Sequence, residues 1–160
     1  MKKVIFLDRD GVINQEMGTY VFSMDKFHLN EGLEKVLIDW KNMGYSFAIV
    51  TNQGGISKQI YTHKDVALIN TYLTSWFKQL NLNLLTISYC PHHDAIESCI
   101  CRKPNSLMLE KMIARFNVSV KDSFLIGDSQ RDVDAANKVG LRAFLVKANS
   151  NLNDLKIPNG

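Results

Sequence analysis

Two hydrophobic rhythms alternate along the chain. Short unbroken apolar runs occur at residues 3–7 (KVIFL), 46–50 (SFAIV), 84–89 (LLTISY), 123–126 (SFLI) and 142–146 (RAFLV). Runs of this length predict strands buried on both faces, the habit of a parallel sheet. Between them, apolar positions recur every three or four residues. In GLEKVLIDWKNMG, Leu33, Val36, Leu37, Trp40 and Met43 share one helical face, and Gly44 is placed to end the helix. A second pattern starts at the candidate cap Thr62 and carries Val66, Ile69, Leu73, Trp76, Phe77 and Leu80. A third starts near Ser106 with Leu109, Met112, Ile113 and Phe116, and a short fourth, QRDVDAANKVG, ends at Gly140.

Strands alternating with helices need crossover connections, so the pattern predicts an α/β fold: a doubly wound, Rossmann-like parallel sheet of about five strands. One domain is expected over residues 1–150, followed by an irregular tail at 151–160. No repeat, low-complexity tract or linker interrupts it. At 160 residues, 46% hydrophobic and 22% charged, the chain can bury one substantial core. The net charge of +3 is dispersed, which gives no reason to expect nucleic acid or membrane as partner, while small anions suit it. The first apolar run is too short for a signal or spanning segment, and three cysteines form an odd set. Both features predict a reducing, cytoplasmic setting.

Ligands of open parallel sheets bind beyond the carboxyl ends of the strands, so the residues following each run are the ones to examine. Asp8, Asp10 and Gly11 follow the first, Thr51, Asn52 and Gln53 the second, a Cys/His segment with Arg102 and Lys103 the third, and Asp128 and Asp132 the fourth. Asp8, Asp10 and Asp128 would crowd negative charge at one end of the sheet, and a hard cation such as Mg²⁺ would relieve the repulsion. With Lys103, the Thr51 hydroxyl and backbone N–H groups, such a site could hold the oxygens of a phosphoryl group while one carboxylate attacks phosphorus. An aspartyl-phosphate intermediate follows naturally. In CPHHDAIESCICRKP, residues Cys90, His92, Cys99 and Cys101 form two close ligand pairs across a short loop, which suits a structural, tetrahedral Zn²⁺. His93 is the alternative imidazole ligand.

The segments DRDGVIN, IVTNQ, CRKP and GDSQRD, in this order and covering nearly the whole chain, resemble the motifs of the haloacid dehalogenase superfamily. The resemblance implies that Asp8 is the nucleophile and that Asp10 is first general acid and then general base. It also implies Mg²⁺ held by Asp8, the Asp10 backbone carbonyl and Asp128, with Asp132 behind them, and supporting roles for Thr51 and Lys103. The intervals between the motifs are filled by scaffold elements and leave no room for a cap domain. The zinc loop, the missing cap and TNQGGI most resemble the heptose bisphosphate and histidinol-phosphate phosphatases within that superfamily. On this resemblance the expected reaction is removal of the C7 phosphate of D-glycero-D-manno-heptose 1,7-bisphosphate, with histidinol phosphate as the alternative substrate. Gly11, Asn52 and Arg102 would contact the substrate, and Arg102, Lys58 or His63 would receive a second phosphate. A receiver-like signalling module shares the Mg²⁺ and the aspartyl phosphate, but it phosphorylates an Asp after its third strand, where this chain has Cys90. No helix carries a surplus apolar face, so a monomer is expected.

Overall fold

The computed structural model describes residues 1–157; residues 158–160, the end of the expected tail, lie outside the described residues. Five parallel strands form one sheet: β1 (Val4–Leu7), β2 (Ser46–Asn52), β3 (Leu84–Cys90), β4 (Phe124–Gly127) and β5 (Arg142–Leu145), in the order β3-β2-β1-β4-β5. Each predicted strand is present, with ends moved by one or two residues. Four α-helices connect them: α1 (Leu33–Asn42), α2 (His63–Gln79), α3 (Leu107–Phe116) and α4 (Gln130–Lys138).

The unbroken apolar runs are explained by burial on both sides. Ile5 and Leu7 of β1, with Phe47 and Ile49 of β2, point into a cluster completed by Leu33, Leu37 and Trp40 of α1 and Ile69, Leu73 and Phe77 of α2. Val4 and Phe6, with Ala48 and Val50, point the other way, onto Met108, Leu109 and Met112 of α3 and Ala135 and Ala136 of α4. Successive strand side chains alternate between faces, so a strand sandwiched by helices must be apolar at every position. The helix starts are written locally too. Thr62 and Asp65 form a reciprocal capping box on α2, and Ser129 and Asp132 form one on α4.

Because β1 is central and flanked by β2 and β4, the residues leaving these three strands emerge side by side. The flavodoxin-like receiver arrangement instead runs 2-1-3-4-5, with β3 central. Residues 8–32 between β1 and α1 form loops and turns rather than a separate cap. Within the segment expected to be an irregular tail, Leu152–Asp154 form one 3₁₀ turn. Leu152 is buried in the α1-side core, and Asn153 Nδ2 donates to Gly32 O at 3.0 Å.

Candidate active site

At the carboxyl ends of the central strands lies a cavity of about 320 Å³, lined by Asp8, Asp10, Glu16, Thr51, Asn52, Lys103, Asp128, Ser129, Arg131 and Asp132. Lys103 reaches it from the loop after β3. Its backbone is clasped by Asn52, whose Oδ1 accepts from Lys103 N and whose Nδ2 donates to Lys103 O, each at 3.0 Å. The buried ammonium donates to Asp8 Oδ1 at 2.9 Å, to Asp132 Oδ1 at 2.5 Å and to Val50 O at 2.7 Å, which uses all three of its protons. Burial would depress the Lys103 pKa, yet the charges of Asp8 and Asp132 outweigh it and raise the value, so the side chain is held as a cation.

Carboxylate oxygens of Asp8, Asp128 and Asp132 all lie within 4.8 Å of one another. Three carboxylates against one lysine give this cluster a formal charge of −2 when all are ionised, and the donors are all hard oxygens. That combination fits a divalent cation such as Mg²⁺. Burial, more than the neighbouring aspartates, pushes the Asp8 carboxyl up to about 7, and Lys103 opposes the shift. Asp128 is raised as well, by burial first and by Asp132 second. The close approach is possible because residue 11 is glycine: a Cβ there would stand 2.1 Å from Asp128 Oδ2, and Gly11 has φ +85°. Asp128 is not the helix cap its position suggests, since Ser129 holds that role.

The Asp10 carboxylate is turned away from this cluster. Its Oδ1 accepts from Arg9 Nη2 and Asn14 Nδ2, both at 3.0 Å, and its Oδ2 from Gln53 Nε2 at 2.9 Å. The same Gln53 Nε2 donates to Thr51 Oγ1 at 2.9 Å. Only the Asp10 backbone carbonyl was expected at the metal, so this orientation leaves the side chain available for proton transfer. The sequence placed Gln53 at the strand end without giving it a role, and it did not single out Arg9 or Asn14 although both lie within the first motif. Arg9 is a charged residue that is almost wholly buried immediately after an apolar strand, and that position is the signal that could have exposed it.

A second pocket of about 620 Å³ adjoins the first and shares Asp10, Glu16, Asn52 and Arg131 with it. The 15–27 loop supplies Glu16, Gly18, Thr19, Tyr20 and Val21, and the opposite wall carries His93 and Arg102. Arg102 Nη1 donates to His92 O at 3.0 Å, which fixes the guanidinium beside Gly54. Asn52 reaches both pockets, although its side-chain amide is engaged by Lys103. Lys58 lies over the Tyr20 ring, 5.7 Å from its centroid, and does not line the pocket. His63 turns toward β3, with Nδ1 2.9 Å from Tyr89 Oη, and is not brought to the site. Arg131, which lines it, lies within the fourth motif but was given no role there, and Glu16 carried no sequence signal.

Beside this wall the four expected zinc ligands converge. Cys90 Sγ lies 3.1 Å from Cys101 Sγ and 3.7 Å from Cys99 Sγ, and His92 Nδ1 is 3.3 Å from Cys101 Sγ. The three cysteines form no disulfide. Zn–S bonds of about 2.3 Å in a tetrahedron separate the sulfurs by about 3.8 Å, so these positions are close to a zinc site. Burial raises the thiol pKa of Cys90 and Cys101, whereas for Cys99 burial is outweighed by backbone hydrogen bonds from Arg102 and Cys101, which lower it. His93 lies outside the cluster, its Nδ1 accepting from Ala95 N at 3.1 Å.

The description HAD-hyrolase-like belongs to a family model that matches residues 100–156. D-glycero-beta-D-manno-heptose-1,7-bisphosphate 7-phosphatase of Helicobacter pylori (strain ATCC 700392 / 26695) is 38% identical over 162 residues, covering 98% of this chain and 88% of its own. The D-glycero-alpha-D-manno-heptose-1,7-bisphosphate 7-phosphatase of Photorhabdus laumondii is 36% identical over 156 residues, covering 91% and 82%. Among solved structures, D,D-heptose 1,7-bisphosphate phosphatase from B. bronchiseptica, complexed with magnesium and phosphate, superposes with a TM-score of 0.84 at 28% identity, covering 96% of this chain and 85% of that one. With strand order, motif residues and whole-length similarity in agreement, this chain belongs to the heptose-bisphosphate 7-phosphatase family of haloacid dehalogenase-like hydrolases and is a phosphatase.

Proposed function

We propose that the protein removes the C7 phosphate of D-glycero-D-manno-heptose 1,7-bisphosphate through a phosphorylated Asp8. The observation that carries this reading is the junction of the two cavities. The inner one has a nucleophilic carboxylate beside a fixed ammonium, and the outer one presents Arg102, Arg131 and His93 to whatever lies beyond the reacting phosphoryl group. A sugar with a phosphate at each end would set one phosphate in each cavity, and an arginine can pair bidentately with the second.

In the first half-reaction an Asp8 oxygen forms a bond to phosphorus while the bond from phosphorus to the sugar oxygen breaks. Asp10 gives its proton to that oxygen, which leaves as the alcohol. In the second, Asp10 takes a proton from water as the water oxygen attacks phosphorus, and the bond to Asp8 breaks to release phosphate. Asp8 Oδ1 is held by Lys103 Nζ and by Arg9 N at 2.8 Å, which leaves Oδ2 without a hydrogen bond among the described residues. Lys103 keeps its positive charge next to the transferring oxygens, and the Thr51 hydroxyl stands beside it. Mg²⁺, held by Asp8, Asp128 and the Asp10 backbone carbonyl, would offset the negative charge that builds on the phosphoryl oxygens. Zn²⁺ on Cys90, His92, Cys99 and Cys101 would be structural, with no position left for a catalytic water.

Phosphate release should be compared across both heptose bisphosphate anomers, histidinol phosphate and common sugar phosphates. The highest kcat/KM is expected for a heptose bisphosphate, with the C1 phosphate retained in the product by ³¹P NMR. A higher value for histidinol phosphate, or release of the C1 phosphate first, overturns the assignment.

A further inference from the structure

Tyr61 lies just before α2, belongs to none of the motifs, and is almost wholly buried behind the site. Its hydroxyl donates to Gln53 Oε1 at 2.7 Å, and the amide at the other end of Gln53 spans Asp10 Oδ2 and Thr51 Oγ1, both at 2.9 Å. The direction of this chain is dictated by chemistry. The NH₂ end of Gln53 faces both Asp10 Oδ2 and Thr51 Oγ1, which turns its oxygen toward Tyr61. The Gln53 oxygen then has only acceptor capacity, and the phenol must donate to it. Burial pushes the Tyr61 phenol up to about 12, so it remains a donor across the working pH range.

The surroundings leave Tyr61 little freedom. Phe22 stacks on its ring at a centroid distance of 5.1 Å with 12° between planes, and Tyr20 meets it edge-on at 5.7 Å. Gly55 has no side chain where a Cβ would stand 2.1 Å from Tyr61 Cε1, so the ring packs directly on the backbone after β2. Tyr20 and Phe22 belong to the 15–27 loop, which walls the outer pocket. The same loop reaches Asp10 by a second route, because Arg9 Nη2 donates both to Val21 O at 2.7 Å and to the Asp10 carboxylate.

We propose that Tyr61 is a positioning residue for phosphate-ester cleavage: by fixing Gln53 it sets the direction from which Asp10 delivers its proton to the leaving oxygen. The inference rests on the assignment of Asp10 as general acid. Tyr61 does not touch substrate, and its effect passes entirely through Gln53. The 15–27 loop, which packs on Tyr61 and also faces the pocket, is thereby tied to the orientation of the acid.

Proton delivery matters most when the leaving oxygen is a poor leaving group. Tyr61→Phe keeps the ring and removes only the hydroxyl, so the test compares a sugar phosphate, whose leaving group is an alkoxide, with p-nitrophenyl phosphate, which needs little protonation. Loss of one positioning hydrogen bond should lower kcat/KM, which covers only the half-reaction in which the leaving oxygen departs, about three- to tenfold more on the sugar phosphate than on p-nitrophenyl phosphate. Circular dichroism and the melting temperature show whether the variant is folded. A general loss of packing would lower both substrates alike, and an equal loss on both overturns the proposal. Asp10→Asn, measured in parallel, should show the same selectivity more strongly. If Asp10→Asn is selective and Tyr61→Phe is not, the positioning role alone fails. If Asp10→Asn shows no selectivity, the general-acid assignment fails and takes the positioning role with it. A double-mutant cycle supplies a second check: in a Gln53→Ala background, Tyr61→Phe should have almost no further effect on the substrate ratio, whereas an additive effect overturns the relay through Gln53.

Discussion

Asp8 and Asp10 are two positions apart, yet their carboxyl groups meet opposite surroundings. Asp8 faces other carboxylates with a single lysine to balance them, whereas Asp10 is gripped by Arg9, Asn14 and Gln53. The contrast predicts how the metal-free protein responds to pH. Asp8 has a pKa of about 7 in the fold against 3.8 in the unfolded chain, so between those values the folded state holds a proton that the unfolded state has lost. Stability therefore declines as pH rises through that window, and Asp128 contributes in the same sense. A divalent cation removes the penalty only where the carboxylates are ionised. Mg²⁺ should raise the melting temperature substantially at about pH 8 and little at about pH 5, as thermal scans with and without the ion will show. Asp8→Asn should abolish turnover with the fold intact and should blunt this Mg²⁺ response. Near wild-type activity in that variant would exclude Asp8 as nucleophile. Lys103→Met, which strands buried carboxylates, should cost about 3–5 kcal/mol of stability in denaturant titrations and remove activity. Asp8, Thr51, Lys103 and Asp128 were legible in the sequence because each follows an apolar strand in the order of a known family. The roles of Arg9, Gln53, Tyr61 and Arg131 were not, because they depend on the direction of side chains and on contacts made across the fold.

At the scale of elements, every strand and helix was legible, since burial on both sheet faces imposes runs that periodicity detects. What periodicity missed was docking without regular structure. Residues 151–157 read as a polar, irregular end, yet Leu152 is only 2% exposed and packs with the α1-side core. Leu152→Ala should destabilise the protein by about 2–4 kcal/mol, measured by denaturant unfolding; a value near zero would mean that the segment is not docked in solution. The Cys/His loop is a second such element. It hangs from β3, an edge strand paired only with β2, and contains no helix or strand of its own between Cys90 and Cys101. Zinc proposed for these four ligands should copurify at about one equivalent by elemental analysis. Cys99→Ser should lower zinc content and raise KM, since Arg102 on the outer wall donates its backbone N–H to Cys99 Sγ.

For the whole molecule, the two proposed metals do different work and should separate experimentally. The carboxylate cluster rests on three strand ends already held by the core, so stripping Mg²⁺ with a mild chelator at about pH 8 should stop turnover and forfeit only the increment in melting temperature that Mg²⁺ supplies, and added Mg²⁺ should restore both. The thiolate cluster organises a loop, so a chelator strong enough to take zinc should lower the melting temperature as well, and Mg²⁺ alone should not reverse the loss. On the proposed function, substrate choice falls to the 15–27 loop and to the wall carrying His93 and Arg102, of which the sequence singled out only Arg102 as a substrate contact. The clasp of Asn52 on the backbone of Lys103 has a consequence for how such proteins can diverge. The amine's height above the sheet is anchored by β2 rather than inherited from the excursion that precedes it. Solvent-facing residues 95–98 can therefore gain or lose length over generations, remodelling the rim for new esters while the chemistry beneath stays in register.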